Sequence, residues 1–132
     1  MTKRSFKDYN SRKDAEGSLQ KYPFIYPGEE DQGDYLMVRS QYCSEFREAQ
    51  LKANRQIAAL VQAAGGPDKV DEELLTDIRY RAFATLVASW TFEEECNVDN
   101  VAEFLRNNDF VYDDINSLAA KDSLFFKKSA NA

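Results

Sequence analysis

The sequence predicts a mainly α-helical protein of about four helices, with an extended N-terminal arm and a β-hairpin ahead of them. Two observations carry that prediction. From Tyr42 to Ala64, apolar residues (Tyr42, Phe46, Ala49, Ala53, Ile57, Leu60, Ala64) return every three or four positions, the period of a helix with one buried face. Between Ser18 and Arg39, by contrast, aromatic residues and two prolines (Pro23 and Pro27) forbid a helix interior.

Residues 1–21 carry six Lys/Arg and three Asp/Glu, so a net +3 arm precedes a body of −9 in a chain of −6 overall. The first twenty residues are poor in aliphatics and read as a mobile arm, either a solvated tail or a basic strap that docks on an acidic surface such as another copy of the chain. Ser18–Pro27 and Asp34–Arg39 flank the polar turn Gly28–Gly33, which suggests a β-hairpin. A lone hairpin is marginal in water, so it must lie on helices or on a neighbouring subunit. The domain reading is therefore 1–39 for arm and hairpin and 40–132 for a helical domain.

The first long helix stops at Gly65-Gly66-Pro67. A second begins near Asp68 or Asp71, with Glu72 and Glu73 where the helix dipole favours negative charge. Its stripe is Leu74, Leu75, Ile78, Ala82, Phe83, Leu86, Val87 and Trp90. Because Ala82–Trp90 is uncharged all round, it is predicted to be the central core helix, with Trp90 as a core anchor. Asn97 is a suitable N-cap for a short third helix that turns Val101, Phe104 and Leu105 inward. Val111, Ile115, Leu118, Ala119, Phe125 and Phe126 mark a last helix, with Lys127 and Lys128 at its C-terminal end.

Composition argues against most chemistry. The chain has no histidine, hence no Ser/His or Cys/His pair and no His-containing zinc site. Two cysteines, Cys43 and Cys96, make neither a zinc site nor a disulfide scaffold. A net charge of −6 is the wrong sign for a general nucleic-acid binder. The longest uncharged run, Gln56–Pro67, is too short to cross a bilayer, and the charged N-terminus lacks a signal-peptide core. Glu93-Glu94-Glu95 and Asp113-Asp114 are consecutive acids, which diverge around a helix end instead of converging on one substrate. Glu29–Asp34 lacks the alternating ligands of a calcium loop. No catalytic residue, cofactor or metal site is expected, and neither nucleic acid nor membrane is expected as a partner. Between Glu93 and Asp114, eight acids face a single Arg106. That stretch reads as a solvated acidic face or a surface for a basic partner.

The aromatic residues point toward binding. Seventeen of 132 residues are Phe, Tyr or Trp, more than a four-helix core can absorb. Tyr22, Phe24 and Tyr26 alternate along the first extended run, and the adjacent Phe125 and Phe126 point in different directions on a helix. These five are predicted partner or subunit contacts, since aromatics are enriched at interface anchors.

The order of the C-terminal half carries a family resemblance. A helix ending in a Trp, Leu86-Val87-Ala88-Ser89-Trp90, is followed by an acidic spacer. After it come the N-capped run Asn97-Val98-Asp99-Asn100-Val101-Ala102-Glu103-Phe104-Leu105, then Ile115-Asn116-Ser117-Leu118-Ala119-Ala120 and a closing Phe125. Together with Ser44-Glu45-Phe46-Arg47-Glu48-Ala49, this resembles the tail assembly chaperones of long, non-contractile-tailed (lambda-like) bacteriophages over residues 34–126. It departs from them at Thr91-Phe92-Glu93-Glu94-Glu95-Cys96, which is more acidic and lacks a glycine. The resemblance implies a homo-oligomeric, non-virion protein of the host cytoplasm. Such a protein binds the tape-measure protein and the tail-tube subunit before the tube polymerises. It also implies a longer form made by −1 frameshifting, for which the codons of Lys127-Lys128 are the candidate slip site. The rival reading, from another class, is a small acidic regulatory adaptor or nucleic-acid-mimicking phage inhibitor of a host protein.

Overall fold

A computed structural model describes residues 3–126, so Lys127 and Lys128 lie outside the described residues. The fold is mixed α/β: six α-helices and a three-stranded antiparallel sheet among the described residues. The expectation of a mainly α protein with about four helices is thereby corrected. The helices are α1 (Ser11–Ala15), α2 (Ser44–Ala64), α3 (Glu72–Ala84), α4 (Val98–Arg106), α5 (Asp109–Ala119) and α6 (Asp122–Phe125). The strands are β1 (Leu19–Pro23), β2 (Tyr35–Arg39) and β3 (Val87–Trp90), in spatial order β1-β2-β3.

The uncharged run Ala82–Trp90 is the physical source of the difference. Its first part closes α3 and its second forms β3. A short apolar run cannot be assigned to helix or strand by periodicity alone, and here the neighbouring strand decides. Thr85 Oγ1 donates back to the Ala82 carbonyl at 2.7 Å, ending the helix. The backbone of Arg39 then donates to the Leu86 carbonyl at 2.7 Å, and its guanidinium donates to the Thr85 carbonyl at 2.7 Å. Carbonyls left over at the helix end are thus satisfied by the end of β2. Beyond them Val87, Ser89 and Trp90 pair with Val38, Met37 and Leu36 across a bulge between Met37 and Val38.

The remaining elements follow the local chemistry. β1 pairs with β2 in the register Leu19 to Arg39 through Pro23 to Tyr35. Cys43 Sγ caps α2 by accepting from the Phe46 amide, and Gly65, at φ +87°, closes it in the left-handed conformation that glycine adopts without strain. Asp71 caps α3 and Asn97 caps α4, each through its side chain. The expected last helix is two helices: the Ala119 carbonyl accepts from the Gln41 amide at 3.0 Å, the chain turns at Ala120-Lys121, and α6 restarts at Asp122.

Alternation along β2 sorts the sheet's faces. Leu36 and Val38 are fully buried and point at α4 and α5, while Tyr35, Met37 and Arg39 on the outer face are half-buried. The core joins Leu36 and Val38 to Val101, Ala102, Leu105, Val111, Ile115 and Ala119, with Phe46, Phe83, Leu86 and Val87 at one side. A smaller cluster of Ala53, Ile78 and Ala82 zips α2 to α3 away from the sheet. The N-terminal segment is tied down at its inner end. Ala15 is wholly buried, and Glu16 accepts from the Ser44 amide and hydroxyl at the start of α2. Among the described residues, no helix is long and apolar enough to cross a membrane.

Candidate interaction surfaces

The two ends of the sheet carry different aromatic clusters, each opening onto a cavity. At the end where Pro23, Tyr35 and Trp90 lie, six rings meet: Phe24, Tyr26, Trp90, Phe92, Phe104 and Phe110. Phe24 is the hub, with centroids 5.4 Å from both Phe92 and Phe104 and 6.1 Å from Phe110. Tyr26 packs edge-on to Phe110 at 6.1 Å, and Trp90 packs edge-on to Phe92 at 5.1 Å and Phe104 at 5.8 Å. These are the offset and edge-to-face arrangements that ring quadrupoles favour. The indole N–H of Trp90 donates to the Glu94 carbonyl at 2.7 Å, which folds the acidic spacer back over the ring. Between them lies a cleft of about 270 Å³ with an aromatic floor of Trp90, Phe92 and Phe104 and a rim of Glu94, Glu103, Asn100 and Asn107. That volume lies just below the usual range of small-molecule pockets and suits a single large side chain.

At the opposite end, where Arg39 and Leu86 lie, a groove of about 430 Å³ runs between the start of α2 and α5. Its floor is Phe46, Phe83, Leu86 and Tyr112, and Gln41, Tyr42, Arg47, Gln50 and Asn116 rim it. Phe83 stacks on Tyr112 at 4.0 Å and meets Phe46 edge-on at 6.5 Å.

Of the five aromatic residues expected at contacts, Phe24, Tyr26 and Phe126 reach these places, whereas Tyr22 and Phe125 pack within their own chain. Phe24 and Tyr26 belong to the cleft cluster, Phe24 largely covered and Tyr26 exposed. Tyr22 lies on the core face of β1, and its hydroxyl donates to Asp114 Oδ2 at 2.7 Å. Phe125 is completely buried within its own chain, whereas Phe126 stands 5.9 Å from Tyr42 at the rim of the groove. Trp90, expected as a core anchor, is half-buried, packs against the core and forms part of the cleft floor. Sequence reasoning did not single out Phe110, Tyr112 or Glu103 as site residues, and it took Phe92 and Glu94 only as parts of the acidic spacer. The one available signal was Phe92 set beside three glutamates, an aromatic with no apolar neighbour downstream.

No protein-family model, curated protein or solved structure matches the chain. Among the described residues, no group of three or more His, Cys, Asp or Glu could hold a metal ion.

Four groups near these surfaces share one electrostatic direction. Burial, then the hydrogen bond to Asp114, pushes the Tyr22 hydroxyl above the ordinary tyrosine range. Burial, then Tyr80 and Asp113, pushes Tyr112 up, and burial raises both the Cys43 and Cys96 thiols. In every case the folded chain holds its proton longer than the unfolded one. Stability from these groups is intact below their unfolded pKa values, near 9 for the thiols and near 10 for the tyrosines, and drains away as pH rises past them. Urea midpoints measured from pH 8 to 11 should therefore fall, most steeply above 10, and Tyr22→Phe should flatten part of that fall. A midpoint constant up to pH 11 would contradict the burial assigned to all four.

Proposed function

We propose that the chain is a bacteriophage tail assembly chaperone, working as a homo-oligomer in the host cytoplasm and absent from the mature virion. It holds the tape-measure protein and the tail-tube subunit until the tube polymerises. One observation supports this reading: the segments of the family resemblance that follow Trp90 pack together on one face of the sheet. The Asn97-capped α4, α5 and the closing Phe125 cover the inner face of the sheet, whose strand β3 ends in Trp90, and leave an aromatic-floored opening at each end. A helical client needs such a surface. The groove between α2 and α5 is apolar at its floor and uncharged at its rim except for Arg47, which suits the apolar stripe of a long amphipathic helix. No catalytic role is assigned to any residue.

The nucleic-acid-mimic alternative draws less support. Of the eight carboxylates between Glu93 and Asp114 that a mimic would present, two are engaged within the chain, Asp99 with Arg81 and Asp114 with the Tyr22 hydroxyl. The test is co-expression with the large coiled-coil protein encoded beside this gene. Co-purification and a gain in that protein's soluble fraction are expected. A coiled-coil protein that stays insoluble and does not co-purify would defeat the proposal.

A further inference from the structure

We infer that the acid-rimmed cleft takes Phe6 from the basic N-terminal arm of a second copy, joining subunits head to tail. This specifies the self-association in the reading above and rests on that part of it.

The arm presents an apolar anchor that its own chain does not cover. Phe6 is 82% exposed and Tyr9 61% exposed, in a segment where Lys3, Arg4, Lys7, Arg12 and Lys13 supply the charge. The anchor is held, since Ser5 caps a 3-10 turn over Phe6–Asp8 and Arg4 donates to the Tyr9 hydroxyl at 3.0 Å. An exposed phenylalanine between Arg4 and Lys7 is therefore displayed on an ordered turn.

The cleft is its complement in size and charge. It is a one-side-chain cavity floored by three rings, and Glu94 and Glu103 stand exposed on its rim. Among the described residues neither carboxylate enters a salt bridge, and neither do Arg4 and Lys7. The charges that would meet on docking are thus unspent in the single chain. Desolvated around a buried aromatic, such pairs set register and partner choice more than bulk affinity.

Phe6 stands exposed in the single chain and its arm leaves the sheet at the end away from the cleft, so the contact is assigned between copies. The arm leaves the sheet at Leu19, beside Arg39 and Leu86, whereas the cleft lies beyond Trp90, beside Tyr35 and Pro23. These are opposite ends of the five-residue strands β1 and β2, roughly 13 Å apart along the sheet. An arm at one end and a receptor at the other form a heterologous interface. Repeated, it builds a ring or a helical stack, and it sets the α2–α5 groove of one copy next to the cleft of the following one.

The full chain carries its own probe, because Trp90 is the one tryptophan in the sequence and lines the cleft. The experiment compares sedimentation and Trp90 emission for wild type, Phe6→Ala, an arm reversal (Arg4→Glu with Lys7→Glu) and a cleft reversal (Glu94→Lys with Glu103→Lys). All substituted residues are exposed, and circular dichroism and melting serve as the check that each variant folds. Wild type should sediment above monomer size, less so in high salt, with Trp90 emission shifting to the red on dilution. Phe6→Ala should weaken association at least about thirty-fold and remove that dilution shift. Each reversal alone should be monomeric, and mixing the two should restore assembly, since every arm then meets an opposite charge.

A monomeric wild type at the highest attainable concentration would overturn the self-association and this interface together. An oligomer that survives both reversals would overturn the arm–cleft interface alone. A Trp90 shift that is lost in Phe6→Ala yet independent of concentration would mean that the arm fills its own cleft, and would overturn the second copy as occupant.

Discussion

Replacing Phe125 with alanine should lower the unfolding free energy by about 3–5 kcal/mol, the usual penalty for deleting a fully buried phenylalanine ring. Phe125 is 0% exposed, on a helix of only four residues that has little stability of its own. Apart from the ring, α6 is held by the Gln20 side-chain amide, which donates to the Leu124 carbonyl at 2.8 Å. Without the ring, α6 loses its reason to fold back on β1, and the inner face of the sheet opens at that edge. Urea unfolding should show a lowered midpoint with a nearly unchanged slope. Phe126→Ala, which removes a half-buried ring at the groove rim, should cost far less. If Phe125→Ala unfolded within about 0.5 kcal/mol of wild type, the size of a neutral surface change, the tight burial of Phe125 would be untenable.

The contrast between these neighbours shows what can be read from sequence. Adjacent phenylalanines must point apart, and they do. Nothing in the sequence says which one the chain keeps for itself, because that depends on the Gln41 amide reaching the Ala119 carbonyl and breaking the last helix. Signals confined to a few residues fared well. The α2 stop at Gly65, a second helix starting near Asp68 or Asp71, the Asn97 cap and the pairing of the two extended runs are all local chemistry, and all are present. What failed was set by partners distant in sequence. The run Leu86–Trp90 has no helix breaker, and its conversion to strand depends on β2, far earlier in the chain, offering unpaired backbone groups. With β3 assigned to a helix, the extension of the hairpin to a three-stranded sheet could not be foreseen, nor could the cleft, whose floor is assembled from Trp90 at the end of that strand, Phe92 after it and Phe104 on α4. Phe24 was legible as an exposed-looking aromatic on a strand, but its role as hub between Phe92, Phe104 and Phe110 was not.

Phe83 should separate the fold from the proposed client groove. It is 6% exposed, stacks on Tyr112 at 4.0 Å and meets Phe46 edge-on, so Phe83→Ala should cost about 3–5 kcal/mol by leaving a cavity between α2, α3 and α5. That variant tests packing but not binding, because the groove would lose its floor and its walls together. Phe83→Leu is the sharper instrument. It keeps most of the apolar volume and should cost about 1–1.5 kcal/mol, leaving the chain folded while removing the flat ring on which Tyr112 is stacked. Tyr112 is then free to tilt into the groove, since its other ring partner, Tyr80, lies 5.1 Å away at 48° and does not hold it flat. A helix laid in the groove would meet an altered floor, so Phe83→Leu should solubilise less of the co-expressed coiled-coil protein than wild type while melting only a few degrees lower. The same loss of client with no loss of arm-dependent sedimentation would place client and self-association at opposite ends of the sheet. Undiminished solubilisation by Phe83→Leu would move the client off this groove.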